Sequence, residues 1–234
     1  MIDPVGTNRP PYWNGFPASA FHPLIRETGW NPDQRGMSIQ EGQAMQKIVP
    51  TLSSLDHVRG NPSSANTLIE YGDYQCPHCA AAEPIVLEVL RRHHRNLAHA
   101  FRHYPLVSIH PMAEPAAETA EFAATHDAFW AMHSGLMACS ARLSLSTMFD
   151  LAKLLGLSVT RLRYALASGA CAARVRRDLA LGMSSGVRGT PTFFINGEYY
   201  GGPVTVAALD AAIRRAGDRV AMAPTILSQQ AGIG

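Results

Sequence analysis

The pattern of apolar and polar positions divides the chain into unlike regions. TLIEYGDYQ, residues 67–75, is rich in β-branched and aromatic residues and predicts a strand. Cys76 follows at once. CAAAEPIVLEVLRRHH then carries Ile85, Val86, Val89 and Leu90 at helical spacing. Pro84 lies inside that pattern and predicts a kink. LAHAFRHYPL, residues 97–106, predicts a second strand. Residues 112–186 change character: they are rich in Ala, Leu, Met and Arg with helical periodicity, and they predict three to four helices. PAAETAEFAATHDAFWAMHSGLM reads as one long helix, with the FWAMH run (Phe129–His133) as helical core. TMFDLAKLLG is the next, with Ser146 as its N-cap and Gly156 as its stop. TRLRYALAS and AARVRRDLALGMSS follow. TPTFFING, residues 190–197, returns to strand character. Asn196-Gly197 between apolar runs is a hairpin signal that makes EYYGG the partner strand. TVAALDAAIRRAG closes the pattern as an amphipathic helix.

The flanks are less regular. Residues 1–36, rich in Pro, Gly, Asn and aromatics, read as an irregular arm packed through Tyr12, Trp13, Phe16 and Trp30. Residues 37–54 have room for one short helix. Arg59–Asn66 reads as a loop, and residues 222–234 read as a loose tail. Strand, helix, strand, helical block, hairpin, helix is the order of an α/β layer with helices inserted in its middle.

The 234 residues are 47% hydrophobic, enough to bury a sizeable core in one large domain. A formal net charge of +2 gives little reason to expect nucleic-acid binding, and the RRHHR and RVRR clusters read as solvated helix faces. No run approaches the roughly 18 apolar residues of a membrane span. The start carries no charged segment followed by an apolar one, so the chain as given reads as cytoplasmic; an export signal ahead of it would make it periplasmic.

Four cysteines, Cys76, Cys79, Cys139 and Cys171, are too sparse for a disulfide scaffold. The CPHC stretch supplies only two thiolates, and no second ligand pair stands near it, so no metal is expected. A staple across a two-residue spacer removes little unfolded-state entropy. Redox exchange fits the placement better. A helix beginning at Cys76 aims unpaired N–H groups and a positive dipole end at its sulfur, which lowers the thiol pKa. Cys79, one turn on, can resolve a mixed disulfide. Pro77 suits the first helical position. His78 can donate a hydrogen bond or positive charge to the Cys76 sulfur, favouring the reduced form. Cys139 and Cys171 read as buried free thiols, or as a second disulfide if the helices bring them together.

CPHC after EYGDYQ, with RGTPTFFINGEYYGG further on, resembles the DsbA-like branch of the thioredoxin superfamily. The resemblance covers Asp56 to Gly217. It implies an α/β thioredoxin fold with an inserted all-helical domain: residues 56–111 and 187–218 as the thioredoxin part, 112–186 as the insertion, 1–55 as the arm and 219–234 as the tail. It implies a cis Pro191 against the dithiol, with Thr190 offering backbone hydrogen bonds to a substrate strand. It implies that Glu70 is a buried acid able to accept the Cys79 proton, with Asp73 a weaker competitor and Arg102 or His103 as its partner. The activity implied is thiol–disulfide exchange with protein or peptide cysteines, as an oxidant. It needs no cofactor, and glutathione or another redox partner is conceivable. A cytosolic reductase, an isomerase dimerised through the arm, and a non-catalytic peptide-binding or chaperone-like module remain the alternatives.

Overall fold

The computed structural model describes residues 49–222; the aromatic arm, Tyr12, Trp13, Phe16 and Trp30 included, and residues 223–234 lie outside the described residues. Five strands, β1 (His57–Gly60), β2 (Thr67–Gly72), β3 (Ala98–His103), β4 (Thr192–Ile195) and β5 (Glu198–Tyr200), form one sheet in the order β1-β3-β2-β4-β5. β2 and β3 are parallel, joined by helix α1 (Pro77–Arg92); the other pairs are antiparallel. Between β3 and β4 lie α2 (Ala113–Ala124), α3 (Phe129–Ala138), α4 (Leu145–Leu154), α5 (Val159–Ser168) and α6 (Ala172–Ser184); α7 (Val206–Met222) closes the chain. No helix among the described residues is long and apolar enough to cross a membrane. The architecture is an α/β thioredoxin fold with helices inserted in its middle.

Both faces of the sheet are covered, so strand alternation sends successive residues into different cores. Leu68, Phe193 and Ile195 pack with Val86 and Val89 of α1 and Leu209 and Ile213 of α7. Ile69, Tyr71, Ala100 and Phe194 pack on the opposite side with Val187 and Leu179. A third core joins the inserted helices to the dithiol end of the sheet and includes Phe101, Tyr74, Cys76 and Cys79 with Met132, Leu136, Met148 and Leu162.

Several local expectations change. The single long helix is two, α2 and α3. Asp127 takes a left-handed φ of 57°, and the Asp127 N–H to Ala124 and Ala128 N–H to Ala123 bonds close the end of α2 as a Schellman motif. An Asp tolerates that conformation, and helical periodicity alone does not register it. The N-cap of α4 is Ser144, not Ser146: the Ser144 hydroxyl accepts from the Thr147 N–H. Gly156 does stop α4, at φ 71°, with the Leu157 N–H bonded to the Ala152 carbonyl. As expected, Pro84 lies inside α1. The short helix expected over SIQEGQAMQKIV lies outside the described residues; Arg59–Gly60 belong to β1 rather than a loop, and α7 continues into the expected tail as far as Met222. Asn196 and Gly197, at φ 49° and 82°, make the tight turn between β4 and β5.

Candidate active site

Gly72 ends β2, and the chain turns through Asp73–Gln75 into α1. Asp73 shapes that turn: its carboxylate accepts from the backbone N–H of Gln75 at 2.7 Å and of Leu106 at 2.9 Å, and pairs with His110 at 2.8 Å. The competitor proton acceptor is thus a loop organiser. Cys76 is the N-cap of α1, with extended backbone (φ −77°, ψ 120°), and Pro77 takes the first turn, where a missing N–H leaves nothing unpaired. All four cysteines are free thiols, so the expected alternative of a Cys139–Cys171 disulfide is not the arrangement seen.

The two active-site sulfurs are unequal. The hydrogen bond between them favours a Cys76 thiolate and is the largest influence on its pKa. Burial opposes it; the Thr190 side chain and the backbone N–H groups of Cys79 and His78 assist it. The net result places Cys76 at about 5. The same hydrogen bond, burial and the nearby Glu70 drive the Cys79 thiol far above its ordinary value. Across the site the Thr190 carbonyl lies 3.4 Å from the Cys76 sulfur, and the Thr190–Pro191 peptide bond is cis. His78 is exposed, and its ring has no hydrogen-bond partner among the described residues. The contribution of residue 78 to the sulfur therefore comes through its backbone N–H, not its imidazole.

These values set a pH window. The folded pKa of Cys76 lies below its ordinary 9.0, so the stability that the thiolate contributes is present at high pH and is lost as pH falls to about 5. The thiolate absorbance of the reduced protein should titrate with a midpoint near 5, and that step should vanish in Cys76→Ser. The stability difference between the reduced wild type and Cys76→Ser should shrink over the same descent. A midpoint near 9 would overturn the assignment.

Glu70 is buried, 1% exposed, on the α1 side of the sheet. Burial, with the Glu83 charge adding to it, raises its carboxyl to about 8 against the pull of Arg59. Its partner is neither expected residue. His99 Nε2 meets Glu70 Oε2 at 3.2 Å. Arg102 faces the opposite side of the sheet and binds Asp56, the Tyr71 hydroxyl and the Thr51 carbonyl. His103 shares the Glu70 side but bonds Glu121 at 2.7 Å. In the parallel register Glu70 sits opposite Phe101, so His99 and His103 are its two diagonal neighbours, and the α2 carboxylate takes one of them away.

Behind His99 is a chain of buried polar groups that sequence reasoning missed. Arg59 Nε donates to His99 Nδ1 at 3.0 Å, and the Arg59 guanidinium grips Glu83 of α1 with two bonds of 2.9 and 2.7 Å. Glu83 also meets His133 Nε2 at 3.2 Å, and His133 Nδ1 meets the Tyr74 hydroxyl at 3.1 Å. Trp130 of α3 covers the group, with the Arg59 guanidinium 4.4 Å from its ring centre. The available signal was Glu83 falling in the apolar stripe of α1, a position a carboxylate takes only with a partner. The partner strand, β1, had no sequence signal.

A family model described as Thioredoxin matches residues 53–215. BdbD from Bacillus subtilis, in its oxidised crystal structure, superposes with a TM-score of 0.63 at 20% identity, over 69% of this chain and 92% of that one. A thioredoxin-like oxidoreductase from Silicibacter pomeroyi gives 0.62 at 25% identity, over 72% and 94%. Among curated sequences, a Na(+)/H(+) antiporter NhaA 3 of Salinispora tropica is 41% identical over 169 residues, which cover 72% of this chain but 26% of the antiporter. The chain thus spans about a quarter of the length of that relative. The chain belongs to the thioredoxin family, and its fold is that of the DsbA-like thiol–disulfide oxidoreductases.

Proposed function

We propose that the protein is a thiol–disulfide oxidoreductase that donates the Cys76–Cys79 disulfide to cysteine pairs of proteins or peptides. The observation that carries this reading is the inequality of the two sulfurs: a Cys76 held as thiolate and a Cys79 held as thiol. In the oxidising direction a client thiolate attacks Cys76. The Cys76–Cys79 bond breaks, and Cys79 leaves with the electron pair and takes a proton, which the neutral Glu70 supplies. A second client thiolate then attacks the client sulfur of the mixed disulfide, and Cys76 leaves as its stabilised thiolate. The client has lost two electrons and the protein has gained them; no cofactor takes part. In the reverse direction ionised Glu70 receives the Cys79 proton. Thr190 and cis Pro191 border the attacked sulfur and dock the client chain. Pro77 sets the first turn, and His78 presents its N–H. The segment 56–111 carries the dithiol and 187–218 carries Thr190 and Pro191, with residues 112–186 packed over them.

A stabilised thiolate favours the reduced protein and so makes the disulfide more oxidising. The equilibrium reduction potential, titrated against glutathione with Cys139 and Cys171 replaced by Ser, is expected between roughly −200 and −120 mV. Such a donor works in an oxidising compartment. A value near or below the cytosolic glutathione poise, about −220 to −260 mV, would replace the oxidant with a reductase. The antiporter-named relatives favour one setting for this chemistry, a dithiol module acting beside a membrane protein.

A further inference from the structure

We propose that Arg59 and His99 are positioning residues that lock the Glu70 relay, with Arg59 holding His99 as a neutral imidazole whose only proton is on Nε2 and always points at Glu70 Oε2. The inference rests on the reading of Glu70 as the proton exchanger of Cys79 and adds the device that sets its state.

The guanidinium has N–H groups only and keeps its charge, so Arg59 Nε can do nothing but donate at the 3.0 Å contact with His99 Nδ1. His99 Nδ1 must accept there, and an accepting Nδ1 carries no proton. The remaining proton is then on Nε2, where it donates to Glu70 Oε2 at 3.2 Å. A second proton on His99 would break the Arg59 bond and place two cations side by side in a site where His99 is 0% exposed. Glu83 holds Arg59 by both guanidinium ends, and Trp130 lies across it, so the lock cannot swing away. With Oε2 permanently occupied as an acceptor, the exchangeable proton of Glu70 belongs to Oε1. Oε1 takes no hydrogen bond among the described residues and lies 3.5 Å from where a Cβ on Gly72, the last residue of β2, would stand.

The consequence is electrostatic. A cationic His99 would hold Glu70 ionised; a neutral one leaves the burial of the carboxyl uncompensated and keeps it protonated to about 8. The groups around Glu70 are His99 of β3, His103 of β3, which Glu121 engages, Arg59 of β1, Glu83 and Cys79 of α1, Tyr74 after β2 and His133 of α3. At Glu70 the Glu83 charge outweighs the pull of Arg59, its ion-pair partner. His133, between Glu83 and the Tyr74 hydroxyl, is held neutral by burial. The neutral His99 is therefore what leaves Glu70 without a compensating cation.

Nitrogen-15 NMR of the histidine rings in the full chain tests this directly. In the wild type His99 should show an unprotonated Nδ1 and a protonated Nε2 from about pH 5 to 9, with no titration. A protonated Nδ1, or a titration in that range, overturns the lock. The Arg59→Met/Glu83→Gln double variant removes both charges together and frees Nδ1. His99 should then titrate, and the Glu70 inflection in the pH dependence of the reduction potential should fall by about 1–3 units. An unmoved inflection with a titrating His99 also overturns the proposal. The wild-type spectrum decides whether or not the variant folds. Glu70→Gln separates the two ideas: if it leaves the pH dependence unchanged while His99 keeps its tautomer, the Glu70 role fails and the lock stands.

Discussion

Cys76→Ser is expected to bring disulfide exchange down to the uncatalysed background, while Cys79→Ser is expected to accumulate a covalent mixed disulfide with the client. The thiolate is the reacting species, and of the Cys76–Cys79 pair it is Cys76 that is held as one at neutral pH. It is also the residue beside Thr190 and Pro191. A serine hydroxyl at 76 neither ionises nor forms a disulfide. Without Cys79 the first attack proceeds in the reductive direction, but no second sulfur one helical turn away releases the client. Non-reducing electrophoresis and intact mass measure both outcomes. The adduct formed by Cys79→Ser also identifies the client, including any membrane protein partner. If Cys76→Ser retained full activity toward a bound peptide or client, the protein would be a binding module and the redox reading would fall.

Arg102→Met is expected to destabilise the fold by about 3–5 kcal/mol without touching the dithiol. Arg102 is 3% exposed and binds Asp56 through two bonds of 2.9 and 2.8 Å. It also ties the Tyr71 hydroxyl at 2.9 Å and the Thr51 carbonyl to β3. Burial would push the Asp56 carboxyl up, but the Arg102 hydrogen bond and charge bring it below its ordinary value. Remove the guanidinium and a carboxylate with no exposed side-chain surface is left at neutral pH. Arg174, 3.9 Å from Asp56, pulls the expected loss toward the lower end. The sign with pH follows. In the wild type the pair contributes stability above the ordinary 3.8 of Asp56 and loses it as pH falls through the depressed folded value. In the variant Asp56 can protonate, so the gap between the two proteins should narrow on acidification. Urea denaturation at pH 7 and about pH 4 measures both; equal stability at pH 7 would show that the pair is replaceable by packing.

Local pattern was enough for elements whose signal is self-contained. β2, α1, β3, the β4–β5 hairpin and α7 follow from alternation, helical spacing and Asn-Gly turn chemistry, because each depends on neighbours a few residues apart. The CPHC placement at a helix start was legible for the same reason: the thiolate is stabilised by the Cys79 thiol and then by N–H groups, all within its own first turn. The join between α2 and α3 was less so, since a left-handed Asp127 closes one helix inside a pattern that stays helical in composition.

The rest belongs to contacts distant in sequence. β1 is four residues with no apolar alternation, and it exists because β3 offers it an edge and Arg59 finds Glu83 and His99. The partner of Glu70 could not be chosen from the sequence, because two residues of β3 flank it on the same face. The choice falls to Glu121 of α2, which engages His103 and leaves His99 to Glu70. Sequence determined where the reactive sulfurs are and which of them is exposed to a helix terminus. Tertiary structure alone decided how the buried acid beneath them is held, because hydrogen-bond pairing among buried charges is settled by which strands and helices close around them, and local spacing carries no record of that.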